Sequence, residues 1–227
     1  MKPVTLTLST AVLSVFLFGC SSSSDATSPI LDVDEIGSTS INSEQLETQL
    51  STIPAGEISA DEEAGLAYMR EEEKLAHDVY IVLFNQQDQK IFQNIANSET
   101  SHTEAIKTLI ERYYLTDPVG NNPEGVFTDI TLQSLYDTLV AQGSASLIDA
   151  LLVGAAIEEL DIIDIETRQL DVIDNDDIIL VYDNLIKGSR NHLRAFVRNL
   201  DNQGETYVPQ YLSQAVYDEI INSSNKN

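Results

Sequence analysis

At 227 residues, 42% hydrophobic and 22% charged, the chain has material for one globular domain with a substantial core. Its 37 acids against 12 Lys and Arg leave a net charge of −25, which argues against nucleic acid or anionic lipid headgroups as partners. Cys20 is the only cysteine.

In chain order, residues 1–20 have the form of an export signal. Lys2 is the positive end, and Val4 to Phe18 is an apolar run too short to span a bilayer. The segment Leu17-Phe18-Gly19-Cys20 resembles the lipobox of bacterial lipoproteins. That resemblance implies lipidation of Cys20 and a protein held at the cell envelope by its lipid anchor alone, facing the periplasm or the outside. Once Cys20 carries lipid, the folded domain has no thiol for disulfides or for Cys-ligated zinc or iron–sulfur centres, so any metal site must be built from carboxylate and imidazole. Residues 21–58 are rich in Ser, Thr and acids, carry Pro29 and Pro54, and show no sustained periodicity. They are expected to be a tether, with one short helix from Ser43 to Leu50.

The domain is expected over 59–223, and its pattern is helical. Ser59 and Glu62 form a capping box that opens a helix to about Gln86, with the apolar seam Leu66, Met69, Glu73, Ala76, Tyr80, Leu83. After a polar turn, a second helix runs to about Tyr114 with the seam Phe92, Ile95, Glu99, His102, Ile106, Leu109, Tyr113. Asp117-Pro118 and Asn121 to Gly125 break the pattern, and a short helix near Leu132 to Ala141 ends at Gly143. This connection is long enough to cross the length of a bundle. A third helix, about Ala145 to Thr167, carries Ile148, Leu151, Ala155, Glu158, Ile162, Ile165; a fourth, about Asp176 to Leu200, carries Ile178, Tyr182, Leu185, Ser189, His192, Phe196. A short C-terminal helix near Ser213 to Ile221 closes the chain. The predicted fold is all-α: an up-down four-helix bundle with one long crossover.

Each of the four helices thus puts a polar residue midway along an apolar stripe: Glu73, Glu99 with His102, Glu158, and Ser189 with His192. An ionised Glu on such a seam costs several kcal/mol in desolvation unless something compensates it. Two compensations are open: bound metal, or pairing of the buried Glu and His residues with one another. Three Glu against two His leave one carboxylate without a partner, which favours metal. His77 lies beside Lys74 and Asp78 on what reads as a polar, solvent-facing side and is left out of the ligand set. Arg190 and Arg194 are expected to pair with surplus acids. Tyr80, Tyr113 and Tyr182 lie on the seams near the proposed site, as core aromatics or as hydroxyl donors to it.

These segments, especially 71–80, 94–102 and 188–196, resemble the ferritin-like diiron-carboxylate superfamily, nearest its rubrerythrin-type bundles and an uncharacterised prokaryotic ferritin-like family with lipoprotein signals. The resemblance spans Ser59 to Leu200. It implies a site for two iron ions, or another divalent metal, with Glu73, Glu99, His102, Glu158 and His192 in five of six ligand positions and Ser189 in the sixth. Glu99 and Glu158 would bridge, and Glu73, His102 and His192 would be terminal. Asp161, one turn beyond Glu158, or Glu159 would supply the missing carboxylate; Tyr80, Tyr182 and Ser189 would stand behind the ligands.

The expected activity is reaction with O₂ or peroxide, or oxidation of ferrous iron, with a homo-oligomer compatible with the fold. Two other readings stand beside it. One is a non-catalytic module holding zinc, manganese or a single iron, which Ser189 favours. The other is a metal-free structural lipoprotein.

Overall fold

A computed structural model describes residues 28–34, 36–171 and 173–223; the segment expected to be an export signal and Cys20 lie outside the described residues. The elements are β1 (Leu31–Val33), β2 (Thr39–Ile41), α1 (Ser43–Leu50), α2 (Ala60–Gln87), α3 (Lys90–Arg112), α4 (Ile130–Gly143), α5 (Leu147–Asp171), α6 (Asp176–Asn202) and α7 (Gln214–Asn222). None of these helices is long and apolar enough to cross a membrane. The capping box forms as its spacing dictates: the Ser59 hydroxyl accepts from Glu62 N–H at 3.1 Å, and Glu62 accepts from Ser59 N–H at 2.9 Å. Asp88, in the left-handed region at φ 52°, ends α2 and turns the chain directly into α3.

Four helices make the bundle, with α2 beside α3, α3 beside α6, α6 beside α5, and α5 beside α2. Side-chain contacts fix the directions. The end of α3 meets the start of α6 through Arg112 and Tyr113 on Asp177, at 2.7 Å each. The start of α2 meets the end of α5, where Arg168 lies against Gly65 and over the Tyr68 ring, and farther along α2 Tyr80 meets Glu158 midway along α5. So α3 and α6 are antiparallel, as are α2 and α5, and the chain must return along the full bundle between α3 and α5. The connection does this by climbing α2: Asp117 binds Arg70, Thr128 N–H and Asp129 N–H donate to Glu71, and Gly125 N–H donates to Asp78.

That climb corrects one expectation. Lys74 and Asp78 mark a polar side but not a solvent-facing one: they pair with each other beneath the crossover, and His77 beside them is half-buried. A second correction concerns residues 21–58. The expected helix forms over Ser43–Leu50 and 51–57 is irregular and largely exposed, but the described segment before the helix is no tether. Strands β1 and β2 pair as an antiparallel hairpin, with Val33 opposite Thr39, and lie against α3 and α6. Ile30, Leu31, Ile41, Leu46 and Leu50 join the core formed by Ile106, Leu109, Ile178 and Leu185. Five apolar side chains spaced among Ser, Thr and acids lack helical period, and their common face arises only when the hairpin folds.

The apolar interior is divided in two. One cluster contains Tyr80, Leu83, Phe92, Ile95 and Phe196, with the three aromatic rings 5.4 to 6.4 Å apart; the other contains Leu66, Met69, Ile106, Tyr182 and Leu185. Of the seam residues, Ile148 is exposed and Tyr113 is half-buried at a helix end; all the others are buried. A layer of buried polar groups lies between the clusters.

Candidate metal centre

Helical spacing delivers that layer. Residues three apart on one helix point the same way, so α3 presents Glu99 and His102 together. Glu73 from α2, Glu158 from α5 and His192 from α6 meet them, and all five are fully buried. His102 Nδ1 lies 2.8 Å from Glu99 Oε2 and 3.4 Å from Glu73 Oε2. His192 Nδ1 lies 2.9 Å from Glu99 Oε1 and 3.3 Å from Glu158 Oε2. The two imidazoles stack with ring centres 5.4 Å apart.

The result is two triads, Glu73–Glu99–His102 and Glu99–Glu158–His192, each offering ligand atoms within 4.8 Å of one another. Glu99 belongs to both, one oxygen to each half. Glu158 groups with the His192 triad, and Glu99, one of the two expected bridging carboxylates, is common to both triads.

Among the described residues, both Nδ1 atoms, both oxygens of Glu73, both of Glu99 and Oε2 of Glu158 lack a hydrogen-bond partner, although they sit at contact distance. Buried polar atoms are ordinarily paired. Here lone pairs converge instead, and this donor set of nitrogen and oxygen suits a divalent ion such as iron, zinc or manganese. Buried Glu/His groups able to hold a metal ion are therefore present.

Electrostatics follow from that crowding. Burial pushes against ionising Glu99, but the charges of His192 and His102 overcome it and hold its carboxyl well below the usual range. Burial likewise opposes the imidazolium forms, yet Glu99, with Glu73 or Glu158 behind it, lifts His102 to about 10 and His192 to about 9. Burial raises Glu73 to about 7 and raises Glu158. The carboxylates around each histidine thus favour its charged form.

The remaining expected residues divide sharply. Asp161 is 1% exposed, neither oxygen has a partner, and burial with the surrounding charges of Glu73, Glu72, Glu158 and Glu99 drives its pKa well up. It lies in the same buried layer but in neither triad. Glu159 is engaged elsewhere: its Oε2 accepts backbone N–H groups of Gln210, Tyr211 and Leu212 at 2.6 to 3.0 Å, anchoring the turn before α7. Tyr80 donates to Glu158 Oε1 at 2.5 Å. Ser189 donates to Leu185 carbonyl in its own helix and touches none of the ligands by hydrogen bond, and the Tyr182 hydroxyl has no partner. Arg190 binds Glu166 at 2.8 Å as expected, whereas Arg194 donates to Ile220 carbonyl and the Ser223 hydroxyl at the end of α7 rather than to an acid.

Two contributors were not anticipated. Gly188 lies against His102: a Cβ there would come within 2.6 Å of His102 Cε1, so a side chain at 188 would displace the ring. Thr39, from β2, places Oγ1 3.1 Å from His102 Nε2 and 3.0 Å from His192 Nε2. No sequence signal marks Thr39, because it lies 63 residues from the nearer histidine in a stretch without period.

With this geometry in view, comparison with known proteins is informative about kinship. Residues 62–224 match the model of the family described as "Uncharacterized protein domain (DUF2202)". The chain is 53% identical over 175 residues to uncharacterized protein MJ0754 of Methanocaldococcus jannaschii, covering 77% of this chain and 94% of that protein. The crystal structure of hypothetical protein MJ0754 superposes with a TM-score of 0.74, covering 76% of this chain and 98% of that one. The chain belongs to the DUF2202 family.

Proposed function

We propose that this DUF2202 protein is a ferritin-like, rubrerythrin-type metal protein whose buried layer would hold two divalent ions, iron in the leading reading, with Glu99 contributing to both triads. The observation that carries the proposal is the convergence of unpartnered Nδ1 and carboxylate oxygen atoms on two adjoining triads. Glu73, Glu99, Glu158 and Asp161 supply four negative charges, which balance two divalent ions bound with neutral histidines. The bundle's long return between α3 and α5 accords with a ferritin-like topology.

Iron held by these residues would supply electrons to O₂ or peroxide, or would itself be the ferrous substrate oxidised. The chain's own residues do the rest. Glu99 keeps both positions together, Tyr80 holds Glu158 in place and keeps a proton at its carboxylate, and the two apolar clusters exclude bulk water. Protons leave the histidines as metal enters. Lipidated at Cys20, the domain would work at the envelope surface, with metal ions and O₂ or peroxide as its partners.

A second reading, a non-catalytic module with one firmly held ion, is favoured by Ser189, which turns to its own helix and leaves α6 with a single ligand. One experiment separates the two. Full-length chain purified without chelator is analysed for metal, beside a Glu99→Ala/His102→Ala double variant, and then loaded with ferrous iron and mixed with O₂ or peroxide. About two irons per chain, lost in the variant, with oxidant consumed, support the di-metal oxidase or peroxidase. One zinc or manganese without turnover supports the module, and no metal after reconstitution rejects both.

A further inference from the structure

We infer that Thr39 is a positioning residue of the metal centre: its single hydroxyl oxygen accepts Nε2–H from both His102 and His192 and so turns both Nδ1 lone pairs onto the metal positions. This deepens the metal reading above and rests on it.

The geometry is specific. A neutral imidazole carries its proton on one nitrogen, and the hydrogen bond made by that nitrogen decides which one is left to bind metal. Each histidine here faces carboxylates with Nδ1 and Thr39 with Nε2. A threonine oxygen has two lone pairs, so it can accept from both rings at once. The rings lie nearly parallel, 18° apart, and both Nε2 atoms reach the one oxygen. The same acceptor serves both states of the site, since Nε2 keeps its proton whether Nδ1 bears a proton or a metal.

Thr39 is held for this task. Its own N–H donates to Ser98 Oγ at 2.8 Å, and Ile41 N–H donates to Ser101 Oγ at 3.1 Å. Ser98 and Ser101 each donate to a carbonyl of α3, which leaves their lone pairs free for the strand. They adjoin Glu99 and His102 in sequence, so the helix that carries the ligands also docks the strand that orients them. At the hairpin turn Gly37 adopts φ +102°, and a Cβ there would meet the Ala195 Cβ at 2.2 Å, so only glycine lets the turn seat on α6. Thr39 lies outside residues 62–224, the span that matches the family model. The functional unit of this chain therefore begins upstream of that span, at the hairpin.

The test compares full-length wild type with Thr39→Val, which keeps the shape and removes the acceptor, and Thr39→Ser, which keeps the acceptor. Zn²⁺ affinity is measured by chelator competition, and the protonated ring nitrogens and their exchange rates by long-range ¹H–¹⁵N NMR, with and without zinc. The expected result is about 10- to 100-fold weaker zinc binding and fast Nε2–H exchange in Thr39→Val, with Thr39→Ser restored to near wild type. Equal zinc affinity and unchanged Nε2–H exchange in Thr39→Val would overturn the inference, as would zinc bound at Nε2 in wild type. If wild type takes up no zinc, the metal reading fails separately. The metal-free spectra then decide the role of Thr39, through slowly exchanging Nε2–H present in wild type and Thr39→Ser and lost in Thr39→Val. Should Thr39→Val not fold, the ring spectra of wild type and Thr39→Ser carry the same decision.

Discussion

The two halves of the buried layer are related but unequal. In the α2/α3 half, His102 has Glu73 and Glu99 as neighbours, both with free oxygens. In the α5/α6 half, His192 has Glu158, already engaged by Tyr80, and borrows the other oxygen of Glu99. Where α3 has a carboxylate three residues before its histidine, α6 has Ser189. The difference teaches that two adjoining triads need not be built from matching parts. One shared carboxylate completes the poorer half, and in the proposed di-metal reading the unpaired Asp161 would supply the charge that Ser189 withholds.

The largest way to break this picture is at the shared residue. Glu99→Ala should abolish binding at both positions, seen as loss of metal from the purified protein. It should also destabilise the metal-free fold by about 3 kcal/mol in denaturant melts, because two buried imidazolium groups lose their common counter-charge. Next in size, single histidine variants should expose the inequality. His192→Ala should retain about one ion in the intact Glu73–Glu99–His102 triad, and His102→Ala should hold its remaining ion at least about tenfold more weakly by competition titration.

Asp161→Asn sharpens the comparison by moving two readouts in opposite senses. The second ion should bind about tenfold more weakly, while the melting temperature of the metal-free protein should not fall. Burial already disfavours the Asp161 carboxylate, so removing its charge costs the metal-free fold nothing.

Acidity tests the histidines together. Their folded pKa values are raised from 6.5 to about 10 and about 9, so the stability they contribute is fully present below pH 6.5 and is lost as pH rises through 9 and 10. The metal-free melting temperature should therefore fall on the order of 5 °C between pH 8 and 10.5, whereas the zinc-loaded protein, whose histidines are neutral, should lack this loss. The smallest effect is expected from Tyr80→Phe. Loss of its bond to Glu158 should weaken the α5/α6 position by about 1 kcal/mol, leaving the other unchanged.

The helical fold and the five central ligand candidates were legible because they share one signal. Alternating steps of three and four place Glu73, Glu99, His102, Glu158 and His192 on stripes that must be buried, and caps such as Ser59 and Glu62 mark where stripes begin. What was not legible depends on contacts between segments distant in sequence. Glu158 and Glu159 are both plausible by period, and only the turn at Gln210 to Leu212, which claims Glu159, separates them. Lys74 and Asp78 look solvent-facing until the crossover lies over them. The hairpin is the extreme case: three-residue strands carry too few positions to show a period, and Thr39 looks like any other threonine in a polar stretch.

The central claim, that Glu99 joins two metal positions, is tested most directly by anomalous diffraction at the iron edge on crystals of the full chain loaded with ferrous iron. The account predicts two peaks about 3.5–4 Å apart, one beside each histidine Nδ1, with one oxygen of Glu99 directed to each. A single peak that does not touch Glu99, or no peak between the two apolar clusters, would contradict it.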